Sequence, residues 1–194
     1  MLNRVAANIS KRLLSNGAIP EEMFDVYVYG FELLISSLFT TTVLLLMGIF
    51  SRQVLQTIAF LITFILLRSF TGGYHAKTYL TCSMVTFSLF VIVLVLSSFL
   101  FVPVHAYIVL AVVGLSLVFL FAPVENANKE LSQNQKRKFK IISCILFLLI
   151  VAIGLSLKNF FSHVSNVVFF TLAADIFLLL IKNKKERRIK DEDH

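Results

Sequence analysis

"LTCSMVTFSLFVIVLVLSSFLF", residues 80–101, runs its whole length without a charged side chain, and its reading decides the fold. A helix is one of the few structures that satisfies its own backbone polar groups in hydrocarbon, and roughly 17 to 25 apolar residues are enough to cross a bilayer as one. Working outward, comparable apolar runs occupy 29–50, 54–67, 104–121, 141–157 and 167–181, which makes six spans in all. Composition agrees, since 58% hydrophobic and 15% charged residues in a chain of 194 are more apolar surface than one soluble core of this size can hide. The expected fold is all-α and polytopic, a single transmembrane domain over 1–194. The second and sixth runs are short, so they are expected to recruit flanking residues or to be shielded by neighbours.

Charge orients such a bundle. If the N-terminus is cytoplasmic, sixteen of the eighteen Lys and Arg residues fall on inner segments, and only Arg52 and Lys158 fall outside. The positive-inside rule then places both termini in the cytoplasm, in the cell membrane. Residues 1–22 carry no signal-peptide pattern and are expected to be retained. Within them Leu2, Val5, Ala6, Ile9 and Leu13 recur at helical spacing, with Arg4, Lys11 and Arg12 elsewhere around the wheel. That is the pattern of an amphipathic helix lying in the membrane interface, or of a docking surface for an amphipathic partner. The basic inner loop, within 122–140, is read as a topology determinant or as an attractor for an acidic peptide, and 182–194 as a charged cytoplasmic tail. Two cysteines, Cys82 and Cys144, are too few for a disulfide framework and are read as free thiols.

The exception to this apolar monotony is "RSFTGGYHAKTYLTC", residues 68–82, on the inner side. A Cys thiolate attacks carbonyl carbon well and a neighbouring His can take the thiol proton, so Cys82 with His75 is the minimum of an acyl-transfer site. On one continuous helix their Cα atoms would stand about 10 Å apart, beyond hydrogen-bond reach. Gly72 and Gly73 relieve this by allowing a sharp turn that folds the His75 segment back toward the third span. A helix beginning near Thr78 would put Cys82 around its first turn, where the dipole helps to hold an oxyanion. Taken singly, a Cys in a membrane helix is usually packing and a His near an interface is usually solvated. Cys144 has no such company and is assigned to packing, while His105 and His163 fall in outer loops and His194 ends the tail. There is no HExxH, no phosphate loop and no Gly-x-Ser-x-Gly elbow, and one His with one Cys is too few for a metal site. No cofactor, metal or nucleic acid is expected. Glu32, in the inner part of the first span, needs a partner, and Arg68 at a similar depth is the natural one, either as a structural ion pair or to orient His75 or bind peptide. Asp175 in the sixth span is similarly placed.

Arg68, Gly72, Gly73, His75, Ala76 and Cys82, spaced R-x-x-x-G-G-x-H-A-x-x-x-x-x-C, resemble the signature of the accessory gene regulator B family, the membrane cysteine endopeptidases of Gram-positive quorum sensing. "YGFELL" at 29–34 and "APVENANKEL" at 122–131 extend the resemblance over essentially the whole chain. It implies a small propeptide substrate with an amphipathic leader, a central signal and an acidic tail. Cys82 would attack at the junction of signal and tail with His75 as base and then acid, and a thiol or hydroxyl of the peptide would displace Cys82 to close a thiolactone or lactone. Arg68, Lys77 and Lys129, with its basic neighbours, would supply cations for the tail, and a homodimer is the assembly expected. The competing reading is a small membrane exporter of a peptide in which His75 and Cys82 are only structural; cleavage that depends on Cys82 separates the two.

Overall fold

The computed structural model describes residues 2–72, 79–124 and 132–192, and among them all regular structure is helical. The helices are α1 (Leu2–Ser15), α2 (Phe24–Phe50), α3 (Val54–Thr71), α4 (Tyr79–Phe99), α5 (Val104–Phe121), α6 (Gln133–Leu157) and α7 (Ser162–Glu192), with a short 3-10 turn at Glu21–Met23 leading into α2. Six of them, α2 to α7, are long and apolar enough to cross a membrane.

Both short runs gain length from their flanks, as their composition required. α3 continues beyond the apolar run to Thr71 and takes in Arg68, while the sixth span begins at Ser162. Other boundaries differ from the sequence reading, and α2 begins at Phe24 rather than near 29. α6 starts at Gln133 rather than near 141, because Ser132 and Gln135 form a capping box: the Ser132 hydroxyl accepts from the Gln135 N–H at 3.4 Å, and Gln135 Oε1 accepts from the Ser132 N–H at 3.1 Å. The cations at 136–140 therefore stand on the first turns of a helix and not in a loop. The charged tail also continues helical, since α7 runs unbroken to Glu192.

α7 is the axis of the bundle, packed against α3, α4, α5 and α6, while α2 lies on α3 and α4 and α1 lies on α2. Two buried clusters form the interior. One joins Leu67, Tyr107, Phe147, Leu172, Ile176 and Leu179, and the other Leu44, Phe60, Phe64, Phe90 and Val167. Lipid tails are as apolar as Leu, so close packing and hydrogen bonds hold such helices together. At Gly48 a Cβ would lie 2.2 Å from the Thr57 hydroxyl, so α2 and α3 cross at a distance only glycine permits. At the far end of the bundle the Tyr107 hydroxyl bonds Ser165, whose own hydroxyl donates to the Gly154 carbonyl at 2.8 Å, tying α5, α6 and α7. Asn166 donates to the Leu100 carbonyl at 2.9 Å and Lys158 donates to the Val102 carbonyl, which satisfies the backbone between α4 and α5. The outward faces are large and apolar, with Phe39, Val112, Leu120 and Phe177 all exposed, as a bilayer rather than water demands.

α1 is amphipathic, as its spacing required, but the residues it buries completely are the small Ala6 and Ser10, while Val5 remains half exposed. Small side chains let α1 lie closely along α2.

Candidate active site

Four helix ends lie at the end of the bundle that carries Cys82. Successive connections reverse the chain, so α3 finishes, α4 starts, α5 finishes and α6 starts at the same end of the bundle. α3 closes at Gly72, which adopts the left-handed φ of +69°. The Thr71 hydroxyl lies 3.0 Å from the Leu67 carbonyl and 2.9 Å from that of Gly72, and the Thr71 carbonyl accepts the N–H of Val124 at 2.9 Å. A Cβ on Gly72 would stand 2.3 Å from the Val124 carbonyl oxygen. The chain leaving α5 is thus stapled to the chain leaving α3, and the staple joins the two stretches, 68–82 and 122–131, that the sequence singles out. Ala122 and Val124 are buried beneath it. Phe70 meets Phe139 edge to face at 6.1 Å, and the Lys140 ammonium lies 4.6 Å from the Phe119 ring centroid, drawing the start of α6 onto the same end.

Cys82 is half-buried on the first turn of α4, close to where the sequence put it. Its neighbour Ser83 shares a 2.8 Å hydrogen bond with Thr40 of α2; because Thr40 donates to the Ser36 carbonyl at 2.9 Å, Ser83 is the donor. The Thr86 hydroxyl donates to the Cys82 carbonyl at 3.0 Å. These contacts set the rotation of the turn that carries the thiol. Cys144 instead packs against the larger buried cluster, within α6. His105 and His163 are exposed at the opposite end, separated from Cys82 by about 30 Å, the length of α4.

The remaining site candidates fall into three groups. Arg68 stands on the last turn of α3 with its guanidinium carbon 5.0 Å from the Phe64 ring centroid. Glu32 accepts a 2.7 Å hydrogen bond from the Asn3 side chain of α1, so the amphipathic helix is fastened to the N-terminal part of α2 through this carboxylate. Gly73, His75, Lys77 and Lys129 lie outside the described residues. Thr40, Thr71, Ser83 and Val124 are the residues of this end whose partners the sequence does not announce. Threonine immediately before the Gly pair was the available sign of a helix terminus, but nothing local to 71 names 124 as its partner. A shallow apolar groove of about 390 Å³, between Gln53 and Leu94, lies away from this end and contains none of the candidate residues.

Comparison with known proteins agrees with the motif. The sequence model of the family described as Accessory gene regulator B matches residues 2–179. A protein of Clostridium perfringens named AgrB-like is 29% identical over 181 residues, covering 87% of this chain and 85% of its own. One of Clostridium beijerinckii, likewise named AgrB-like, is 30% identical over 75% of this chain and 73% of its own. The accessory gene regulator protein B of Staphylococcus saprophyticus is 25% identical over 78% of this chain and 80% of its own. No solved structure matches the chain.

Proposed function

The chain belongs to the accessory gene regulator B family, and on that premise we propose that it is a membrane cysteine endopeptidase that removes the C-terminal tail of a small signalling propeptide and promotes ring closure of the remainder. The observation that carries the reading is Cys82, half-buried on the first turn of α4 at the same end of the bundle as Arg68, Gly72 and the α5 exit stapled to it. A thiol at that depth meets a peptide at the boundary of water and hydrocarbon.

In this reading His75 takes the proton of Cys82 as sulfur attacks the carbonyl carbon at the junction of signal and tail. The tetrahedral oxyanion forms near the N-terminal turn of α4, whose dipole opposes its charge. His75 returns the proton to the leaving amine, the C–N bond breaks, and the acidic tail departs, leaving the signal as a thioester on Cys82. A thiol of the same peptide then attacks that thioester; its C–S bond forms as the bond to Cys82 breaks, and Cys82 recovers the proton the attacking thiol gave up. Exchange of one thioester for another is nearly balanced in energy, so exclusion of water protects the yield. With both termini cytoplasmic, the four converging ends face the compartment where the propeptide is made, and Lys77, Lys129 and the cations at the start of α6 attract its acidic tail.

The test is cleavage of the propeptide by purified protein in liposomes. Cys82→Ala and His75→Ala are expected to abolish cleavage while inserting normally, Cys144→Ser is expected to be nearly silent, and the parent is expected to show a mass adduct on Cys82. Parental cleavage by Cys82→Ala refutes the reading, and peptide transport by that variant would select an exporter instead.

A further inference from the structure

The end of the bundle opposite Cys82 holds cations and nothing to balance them. Its three connections, 51–53, 100–103 and 158–161, contain Arg52 and Lys158, and the chain has no Asp or Glu anywhere from 33 to 124. Lys158 is occupied, donating to the Val102 carbonyl and lying 4.8 Å from the Phe101 ring centroid. Arg52 stands exposed in the turn between α2 and α3. α3 begins just after it, with no acidic residue in its first turn and no side-chain cap from Gln53, so a positive dipole end adds to the positive side chain. Beside this turn lies the groove of about 390 Å³. Phe90 and Leu94 are buried along it, whereas Met47, Val95 and Phe99 keep exposed surface, so it opens on the face that meets lipid. Its polar residues, Ser51, Gln53 and Ser98, all stand at the helix ends. The Ser51 hydroxyl donates to the Gly48 carbonyl at 3.3 Å and that of Ser98 to the Leu94 carbonyl at 2.8 Å, so both oxygens are left as acceptors. Gln53 Oε1 is a third acceptor, enclosed and without a hydrogen bond. Such an atom is costly to leave unpaired, and turning the amide toward the groove relieves that cost only where a donor meets it.

We propose that this groove binds one phospholipid with a glycerol headgroup, a phosphatidylglycerol. An acyl chain lies along Phe90, Leu94 and Val95, the phosphate is drawn to Arg52 and the start of α3, and the headgroup hydroxyls donate to Ser51, Ser98 and the turned amide of Gln53. The groove asks for three things in one molecule: hydrocarbon, an anion and hydrogen-bond donors. Phosphatidylcholine brings no net charge and no donor. Phosphatidylethanolamine carries its donors on a cation, which Arg52 repels, and phosphatidic acid brings the charge without the alcohol. The site is separate from the chemistry at Cys82 and does not depend on it.

The experiment is native mass spectrometry of the full-length protein released from nanodiscs of phosphatidylcholine, phosphatidylglycerol and phosphatidic acid with identical acyl chains. It counts the lipids retained and the copies of the chain that carry them. The parent is expected to keep one phosphatidylglycerol, enriched about 5- to 30-fold over phosphatidylcholine. Arg52→Gln, at an exposed position that leaves the fold intact, is expected to lower that enrichment about fivefold. Gln53→Leu is expected to reduce the preference for phosphatidylglycerol over phosphatidic acid, and Val95→Trp, which fills the groove from its exposed side, to remove the retained lipid. Retention in proportion to mole fraction, which is what a lipid annulus gives, overturns the proposal. Parental enrichment in Arg52→Gln, or equal retention of phosphatidic acid by the parent, does so as well. So does a dimer that Val95→Trp dissociates without loss of lipid, because the groove would then be covered by a second copy of the chain.

Discussion

Gly72→Ala probes the staple at the candidate active site, and its cost follows from two features of the structure. The first is conformational: φ at this position is +69°, where any Cβ crowds the following carbonyl, at about 1 to 2 kcal/mol. The second is steric. The new Cβ would stand 2.3 Å from the backbone oxygen of Val124, and a backbone atom has no rotamer in which to escape. Relief requires the α5 exit to move away, which breaks the 2.9 Å bond from the Val124 N–H to the Thr71 carbonyl, a loss of about 0.5 to 1.5 kcal/mol. Together the two amount to about 1.5 to 3.5 kcal/mol, or a melting temperature roughly 3 to 14 °C lower for a chain of this size. Gly30→Ala is the control, since a Cβ there has no atom within 4 Å. Thermal unfolding of both variants in detergent gives the stability arm, and propeptide cleavage in liposomes gives the functional arm, in which only Gly72→Ala is expected to lose rate. Parental melting and parental cleavage in Gly72→Ala would refute the claim that this close approach joins the two stretches.

Other perturbations separate the remaining parts of the reading. In a Cys-free background, cysteines placed at Asn134 and Asn183 are expected to react with membrane-impermeant probes from the cytoplasmic side, and those at Ser51 and Asn159 from the outside; labelling of Asn134 from outside would invert the map. Replacing Lys129, Lys136, Arg137, Lys138 and Lys140 together with Gln is expected to raise KM for the propeptide by about 5- to 30-fold and to flatten its salt dependence, because exposed ion pairs are individually weak and act in sum. An unchanged KM and salt response would leave those cations with a topological role alone. Tyr107→Phe removes the hydroxyl that bonds Ser165 at the far end of the bundle and is expected to cost about 1 kcal/mol of stability with no change in cleavage. A loss of kcat there would mean that the two ends of the bundle are coupled.

Much of this protein is legible from local pattern, for a physical reason. Hydrocarbon admits so few backbone arrangements that an uncharged stretch such as 80–101 has one reading, and six such stretches give the order of helices directly. The Arg68, Gly72, Gly73, His75, Ala76 and Cys82 spacing named the family as well, and the match over 2–179 agrees. The helix start at 133 was also written locally, in Ser132 and Gln135, but that signal was overshadowed by the stronger apolar run behind it. Partners across the bundle were not written anywhere local. Hydropathy gives each helix a depth but no neighbour and no rotation, because lipid and protein interior are equally apolar. That Glu32 receives Asn3, that Ser83 meets Thr40, and that Thr71 holds Val124 follows from which helices lie side by side. Asp175 shows the limit most plainly. Its sequence neighbours mark it only as a carboxylate within a span, and it is buried because α7 occupies the centre of the bundle and packs along α3, an arrangement decided by the close fit of small and large side chains over the whole interior.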